Sequence, residues 1–357
     1  MAMNVGLDVG TTAVRAAAVT AGKSGFRLEA YGQVPLPPGA VVAGEIVDNE
    51  AVTAAVTTLW KKVKLPRQRV VLGIANQRVI VRRVDLPAMA EAEIKDALPY
   101  QVQESIPIPV EEALLDFVPL EEFTTPDGEP MLSALVVAAQ RDMVSEMVNA
   151  VLAARVKVMA VDLQAFGVVR AIFGRRLNID DEAECVVVIG GGLTQVAVVK
   201  GGAVRFLRII PSAGDTFTRV LSDRLSIDTS SAEQLKRQVG IASSGTPERT
   251  GDPGADAVAV LTDEADTFID EIRGSIDYYT SQSDGTAVAR VLVAGNGARL
   301  PNLANRLGAA LSLPVEPVRV LGDGGVEVGK VKLTDQEMML AQPVISVPVG
   351  LAMWDAV

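Results

Sequence analysis

A hairpin design that occurs twice restricts this chain more than any other feature. Val5-Gly6-Leu7-Asp8-Val9-Gly10-Thr11-Thr12-Ala13-Val14-Arg15 and Val186-Val187-Val188-Ile189-Gly190-Gly191-Gly192-Leu193-Thr194-Gln195-Val196 both read as an apolar strand, a Gly/Thr corner and a returning strand. A repeat at this scale calls for two lobes, each with its own sheet. Length agrees, since 357 residues exceed what one ordinary core serves.

Around the first copy, segments 4–9, 14–20 and 26–35 alternate like antiparallel strands, with a turn over 22–25. Asp48 is placed to cap a helix over 49–64, and Pro66 and a buried-type strand over 70–75 follow. From Ala88 the character changes. A helical stretch over 91–103 is stopped by Ile106-Pro107-Ile108-Pro109, strands at 113–119 and 131–138 flank a polar loop, and a helix over 141–154 precedes a strand at 156–161. This block reads as a small α/β insert. A helix over 163–173 and a linker over 175–184 lead to the second copy, with strands at 185–189, 194–200 and 203–210. Helices over 214–225, 230–239 and 257–281 follow, and the Gly/Ser/Pro/Thr-rich stretch 242–255 between the last two reads as mobile. A strand at 291–293, a Gly295-Asn296-Gly297 turn, a helix over 301–311 and a short apolar segment at 347–355 close the chain. The resulting division gives a first lobe of 1–87 and 162–178, an insert of 88–161, and a second lobe of 179–357 whose part 226–287 is mostly helical.

Composition removes whole classes of chemistry. With no histidine, no Ser-His or Cys-His pair and no imidazole acid or base can be built. The single cysteine, Cys185, lies in an apolar run and reads as a small buried hydrophobe. A formal charge of −11 argues against nucleic acid as a partner, and the basic clusters Lys61-Lys62-Val63-Lys64 and Arg82-Arg83 read as solvated helix and strand ends. No run approaches the roughly 18 to 20 apolar residues of a membrane span, and the first residues lack the pattern of a signal peptide. A cytoplasmic location without direct membrane insertion is the expectation.

What remains is carboxylates, hydroxyls, lysines and backbone amides. Glycine corners let the main chain approach a ligand closely and aim N–H groups at phosphate oxygens. Asp8 puts a carboxylate into an otherwise apolar strand beside such a corner, which is costly unless a cation or donors compensate it. Each corner taken singly is also an ordinary turn.

Their order along the chain carries a resemblance. Leu7-Asp8-Val9-Gly10-Thr11-Thr12 resembles the first phosphate motif of the actin, sugar kinase and heat-shock chaperone superfamily. The Gly190 corner resembles the second, Val293-Ala294-Gly295-Asn296-Gly297 the adenosine motif, and Val161-Asp162-Leu163-Gln164-Ala165-Phe166-Gly167 the first connecting helix. Within it, Pro211-Ser212-Ala213-Gly214-Asp215-Thr216-Phe217-Thr218, Ala232-Glu233-Gln234-Leu235-Lys236-Arg237, Tyr100-Gln101-Val102-Gln103-Glu104-Ser105-Ile106-Pro107 and Val349-Gly350-Leu351-Ala352 resemble the type IV pilus assembly PilM family. The resemblance implies an α/β, actin-like (ribonuclease H-like) two-lobed ATPase fold with the insert in the first lobe, and ATP or ADP with Mg2+ between the lobes. It implies Asp8 for the cation and any catalysis, and Gly10, Thr11, Thr12, Gly190, Gly191, Gly192, Thr194 and Gly214 around the phosphates. Glu233, Lys236, Gly295, Asn296, Gly297 and Arg299 would meet the nucleoside. Val188 stands where the second phosphate motif usually has an acid, and Asn296 where glycine is common, so binding is expected with slow or absent hydrolysis.

The same resemblance implies docking of the N-terminal cytoplasmic segment of a PilN-type inner-membrane protein, with Leu98, Val102, Ile106, Leu114 and Phe117 bordering the groove. PilO-, PilB- and PilC-type platform components and self-association are its further implied contacts. Two other roles share the fold. A cell-division tether of the FtsA type predicts a basic amphipathic tail, which Leu351 to Val357 does not resemble; a small-molecule kinase needs a base in the cleft, for which Asp162 and Asp215 are the clearest carboxylates.

Overall fold

The computed structural model describes residues 3–22, 25–174, 182–282, 285–322, 325–329, 331 and 333–354; most of the expected 175–184 linker, the middle of the 22–25 turn and Asp355 lie outside the described residues. In chain order the elements are β1 (Met3–Val9), β2 (Ala13–Gly22), β3 (Gly25–Pro35), a short β4 (Val41–Val42) and β5 (Glu45–Ile46), α1 (Asn49–Val63), β6 (Val70–Ile74), β7 (Val79–Pro87) and α2 (Glu91–Gln101). There follow β8 (Ala113–Thr124), β9 (Pro130–Gln140), α3 (Arg141–Ala153), β10 (Val158–Leu163), α4 (Gln164–Phe173), β11 (Ala183–Ile189), β12 (Thr194–Lys200), β13 (Ala203–Ile210), α5 (Gly214–Leu225) and α6 (Thr229–Val239). The last are α7 (Pro253–Thr280), β14 (Val288–Ala294), α8 (Leu303–Leu311), β15 (Val315–Pro317), β16 (Glu327–Val328) and α9 (Asp335–Ala352).

Two sheets of the same design result. One has the order β10-β6-β1-β2-β3-β16, the other β13-β12-β11-β14-β15. In each, the first strand of the repeated hairpin pairs antiparallel with its return and parallel with a strand on its other side: β1 with β2 and β6, β11 with β12 and β14. Such central strands are covered on both faces, which is why β1 and β11 are buried along almost their whole length. The corners match too, with Gly10 N–H donating to Ala13 O at 3.1 Å and Gly190 N–H to Leu193 O at 2.9 Å.

The insert is a separate sheet, β7-β9-β8, covered by α2. Its first strand, β7, precedes the expected boundary at Ala88, because a strand carrying Arg82 and Arg83 lacks the apolar pattern that marks one in sequence. The C-terminal part also departs from its expected place. β16 pairs with β3, and α9 packs on β1, β2 and α4, so these elements lie on the first lobe although they follow the second in sequence. The apolar segment at 347–355 is the end of that 18-residue helix, which runs through Pro343 and Pro348. The stretch expected to be mobile ends early, since Asp252 caps α7 through Gly254 and Ala255 N–H.

α4 and α9 cross between the two sheets where glycine leaves no room for more. A Cβ on Gly350 would lie 1.6 Å from Gly167 O, and one on Gly6 would lie 1.9 Å from Pro348 O. Among the described residues no helix is long and apolar enough to cross a membrane.

Candidate nucleotide cleft

Because the hairpins are alike and their sheets face each other, the two corners meet. A Cβ on Gly191 would lie 3.1 Å from Thr11 Cβ and 3.4 Å from Thr12 Cγ2, and one on Gly192 would lie 3.0 Å from Thr11 Oγ1. The third turn closes the group: a Cβ on Gly297 would sit 2.9 Å from Gly190 O, and Gly295 takes φ +88° against the Ile189 main chain. Asp8, Gly10, Thr11, Thr12, Gly190 to Gly192, Gly295 and Asn296 line a cavity of about 70 Å³. Thr11 lies so near Gly191 and Gly192 that phosphates could pass between the two corners only if the lobes part.

Beside it lies a second compartment of about 170 Å³ lined by Gly214, Phe217, Glu233, Lys236, Asn296, Gly297 and Arg299. Lys236 is buried and donates to Gly214 O at 2.8 Å, Thr218 Oγ1 at 2.7 Å and Glu233 Oε2. Burial alone would raise the Glu233 carboxyl, but hydrogen bonds from Lys236 and Thr218 outweigh it and hold the group below its ordinary 4.5. A carboxylate depressed in the folded state gives stability that is complete above its unfolded pKa and fades as pH falls through the folded one. The urea midpoint should therefore drop below about pH 4.5, and less steeply in Glu233→Gln; parallel curves for the two proteins would contradict this.

A wider cavity, about 1050 Å³, lies farther out, between β3, the end of α1 and the first half of α9. It shares Thr12, Arg15, Arg237, Asn296 and Arg299 with the smaller two, so the three are compartments of one cleft. Burial lowers the Arg299 pKa, and the neighbouring Arg15 and Arg237 lower it further, which makes this region receptive to anions. Tyr31 in its wall is pushed up to about 12, chiefly by burial.

Sequence reasoning missed Arg15 and the role of Gln164. The corner fixes the register Asp8↔Arg15 across β1 and β2, and Arg15 Nη1 approaches Asp8 Oδ2 at 3.4 Å. Gln164 Nε2 donates to Asp8 Oδ1 at 2.8 Å, and Gln195 Nε2 of the second lobe donates to Gln164 Oε1 at 3.2 Å. Burial raises the Asp8 pKa, which Arg15 counteracts. Counting residues from the corner would have given Arg15; Gln164 needed the position of α4.

Three expected sites read differently in the fold. Thr194 is fully buried and its hydroxyl donates to Ser212 O at 2.7 Å, away from the cavities. Asp162 accepts from Leu163 N–H and pairs with Arg170 at 2.8 Å, so both its oxygens are engaged just before α4 and it is no free base, while Asp215 lies in the first turn of α5 with its N–H bonded to Gly191 O. Of the five expected groove residues, Leu98, Val102, Ile106 and Phe117 fill the insert's own core because α2 turns its apolar stripe onto the sheet; Leu114 is exposed.

Comparison with known proteins agrees with this architecture. A solved PilM-PilN type IV pilus biogenesis complex superposes with a TM-score of 0.82 at 23% identity, covering 99% of this chain and 98% of that one. MreB 5 of Spiroplasma citri bound to AMPPNP gives 0.52 at 15% identity, covering 88% and 91%. Among curated relatives, the cell division protein FtsA of Bacillus subtilis is 21% identical over 298 residues, 76% of this chain and 65% of that protein. FtsA of Neisseria meningitidis serogroup B is 38% identical over 76 residues, 20% of this chain and 18% of that protein. The chain thus spans less than two thirds of both relatives. A family model described as type IV pilus assembly protein PilM matches residues 6–355, nearly the whole sequence, and the chain belongs to that family.

Proposed function

We propose that this protein is a nucleotide-binding scaffold of the type IV pilus inner-membrane platform, holding ATP or ADP between its lobes and docking the N-terminal cytoplasmic segment of a PilN-type protein. The observation that carries the first part is the contact between the Thr11 corner and Gly191, where any side chain at Gly191 or Gly192 would fill the space phosphates need. Asp8, oriented by Arg15 and Gln164, is the residue for Mg2+, which when bound offsets phosphate charge. Val188 lines the phosphate cavity with an apolar side chain, which supports binding without appreciable hydrolysis. Calorimetric titration of ADP and ATP with and without Mg2+ tests the reading. Saturable binding is expected, with the Mg2+ dependence reduced about tenfold in Asp8→Asn. The absence of binding to the wild-type protein under all these conditions would defeat it.

For docking, the supporting face is the one that carries Leu114, Asp116 and Val118 on alternate residues of β8. Val118 on this face packs against the core that holds β1 and β6, so the face looks toward the first lobe. Exposed Leu114 and Met159 and half-buried Val118 and Val161 offer apolar contacts there. Leu114→Asp is expected to weaken binding of a PilN-type N-terminal peptide at least about tenfold in fluorescence anisotropy, with unchanged melting. Equal affinity for the two proteins would place the peptide elsewhere.

A further inference from the structure

A basic pole closes the first lobe at the end away from the Gly10 corner. β6 runs parallel to β1 and β10, with Val70 opposite Val5 and Val158, so the loops that enter these strands lie side by side. Hydrogen bonds tie them together. Trp60 Nε1 of α1 donates to Pro66 O at 2.9 Å, Arg67 Nη1 to Ala154 O just beyond α3 at 2.8 Å, and Lys157 N–H to Arg67 O at 2.8 Å. Lys61, Lys64, Arg67, Arg155 and Lys157 therefore stand around one loop cluster, and all five are exposed. No acidic residue occurs between Glu50 and Asp85 or between Glu146 and Asp162, in a chain whose formal charge is −11.

Helix ends account for part of this charge, since Lys61 lies in the last turn of α1 and Arg67 binds carbonyls at the end of α3. They do not account for the rest. Lys61, Lys64, Arg155 and Lys157 pair with no carboxylate among the described residues, whereas Arg78, Arg170 and Arg306 elsewhere each do. Lys64 and Arg155 also take φ of +58° and +60°, a left-handed backbone that glycine or asparagine adopts at lower cost, so long cations stand where the main chain alone favours something else. Exposed Leu152 and Met159 flank Arg155 and Lys157 in sequence. Clustered cations with apolar side chains among them suit the headgroup layer of an anionic bilayer. Lys64 borders the outer cavity, but Arg67, Arg155 and Lys157 line none of the three compartments. A plane of negative charge can meet helix and strand ends together, where a peptide finds no groove.

We propose that this pole binds an anionic lipid surface, with Lys61, Lys64, Arg155 and Lys157 at the headgroups and the acidic remainder of the chain turned away. The inference does not depend on nucleotide or on a docked peptide. Lys157 nevertheless leads straight into β10, whose Met159 and Val161 belong to the proposed docking face, so one orientation serves both. Co-sedimentation of the full chain with vesicles of phosphatidylglycerol and phosphatidylcholine in equal parts tests it, with pure phosphatidylcholine as reference and no partner peptide present. The wild type is expected on the mixed vesicles at low salt, to leave them at high salt, and to ignore the reference. Lys61→Gln/Lys64→Gln/Arg155→Gln/Lys157→Gln should weaken binding at least about tenfold, while Arg208→Gln/Arg224→Gln/Arg249→Gln/Arg273→Gln on the second lobe, an equal loss of charge, should change it less than about twofold. Circular dichroism melts should overlay the wild type; if the pole variant melts early, Lys61→Gln/Lys64→Gln alone is expected to weaken binding about threefold. A wild type that stays in solution beside the mixed vesicles overturns the proposal, as does equal retention on pure phosphatidylcholine or an equal loss in the second-lobe variant. Fluorescein-labelled decaglutamate, read by anisotropy, supplies the other arm: if it binds the wild type more tightly than the pole variant while vesicles bind neither, the pole serves an acidic polypeptide and the lipid proposal falls.

Discussion

Gly350→Ala should unfold the first lobe or leave it marginal. The added Cβ would sit 1.6 Å from Gly167 O, a main-chain atom that cannot rotate away, and α4 and α9 would have to separate to admit it. Those helices are the packing between the two sheets, so the strain spreads to Leu351, Val349 and Val168, all buried in the same core. Overpacking of this severity costs about 3 kcal/mol or more, out of the roughly 5–15 kcal/mol that holds a typical protein folded. Gly274→Ala is the control, because its Cβ would meet nothing within 4 Å inside α7. It should gain roughly 0.5–1 kcal/mol through helix propensity. Urea unfolding of both variants checks the pair; similar midpoints would show that the helix crossing is looser than the contacts indicate.

Gly191→Val should abolish nucleotide binding while leaving the fold intact. Gly191 is not among the residues with positive φ, so valine is tolerated by the main chain. Its side chain would instead press on Thr11 and Thr12, 3.1 and 3.4 Å from the position of Cβ, and occupy the space between the corners. An affinity loss of about a hundredfold, equivalent to ~2.7 kcal/mol, is expected in the titration with Mg2+-ADP. Wild-type affinity in this variant would mean that phosphates do not pass between the two turns.

Local chemistry made the repeated hairpins readable. A glycine corner, flanking apolar runs and a capping Asp48, which accepts from Ala51 N–H at 2.9 Å, act over a few residues and leave their mark in sequence. The elements that escaped depend on distant partners. α9 continues through Pro343 and Pro348 because burial between the sheets outweighs the lost helix bonds, and because Gly295 N–H donates to Pro343 O at 2.6 Å while Arg299 donates to Leu340 O. Thr194 looked like a phosphate ligand because a hydroxyl beside a glycine corner can turn either way; the end of β13 decides it. The apolar stripe of α2 looked like a groove for the same reason, and the insert's own sheet takes it.

A crystal structure with Mg2+ and AMPPNP tests the central claim most directly. The account predicts phosphates between Gly10–Thr12 and Gly190–Gly192, with the nucleoside against Lys236 and Gly297 and the lobes farther apart than here. A nucleotide bound on any other surface, with Thr11 still resting against Gly191, would contradict it.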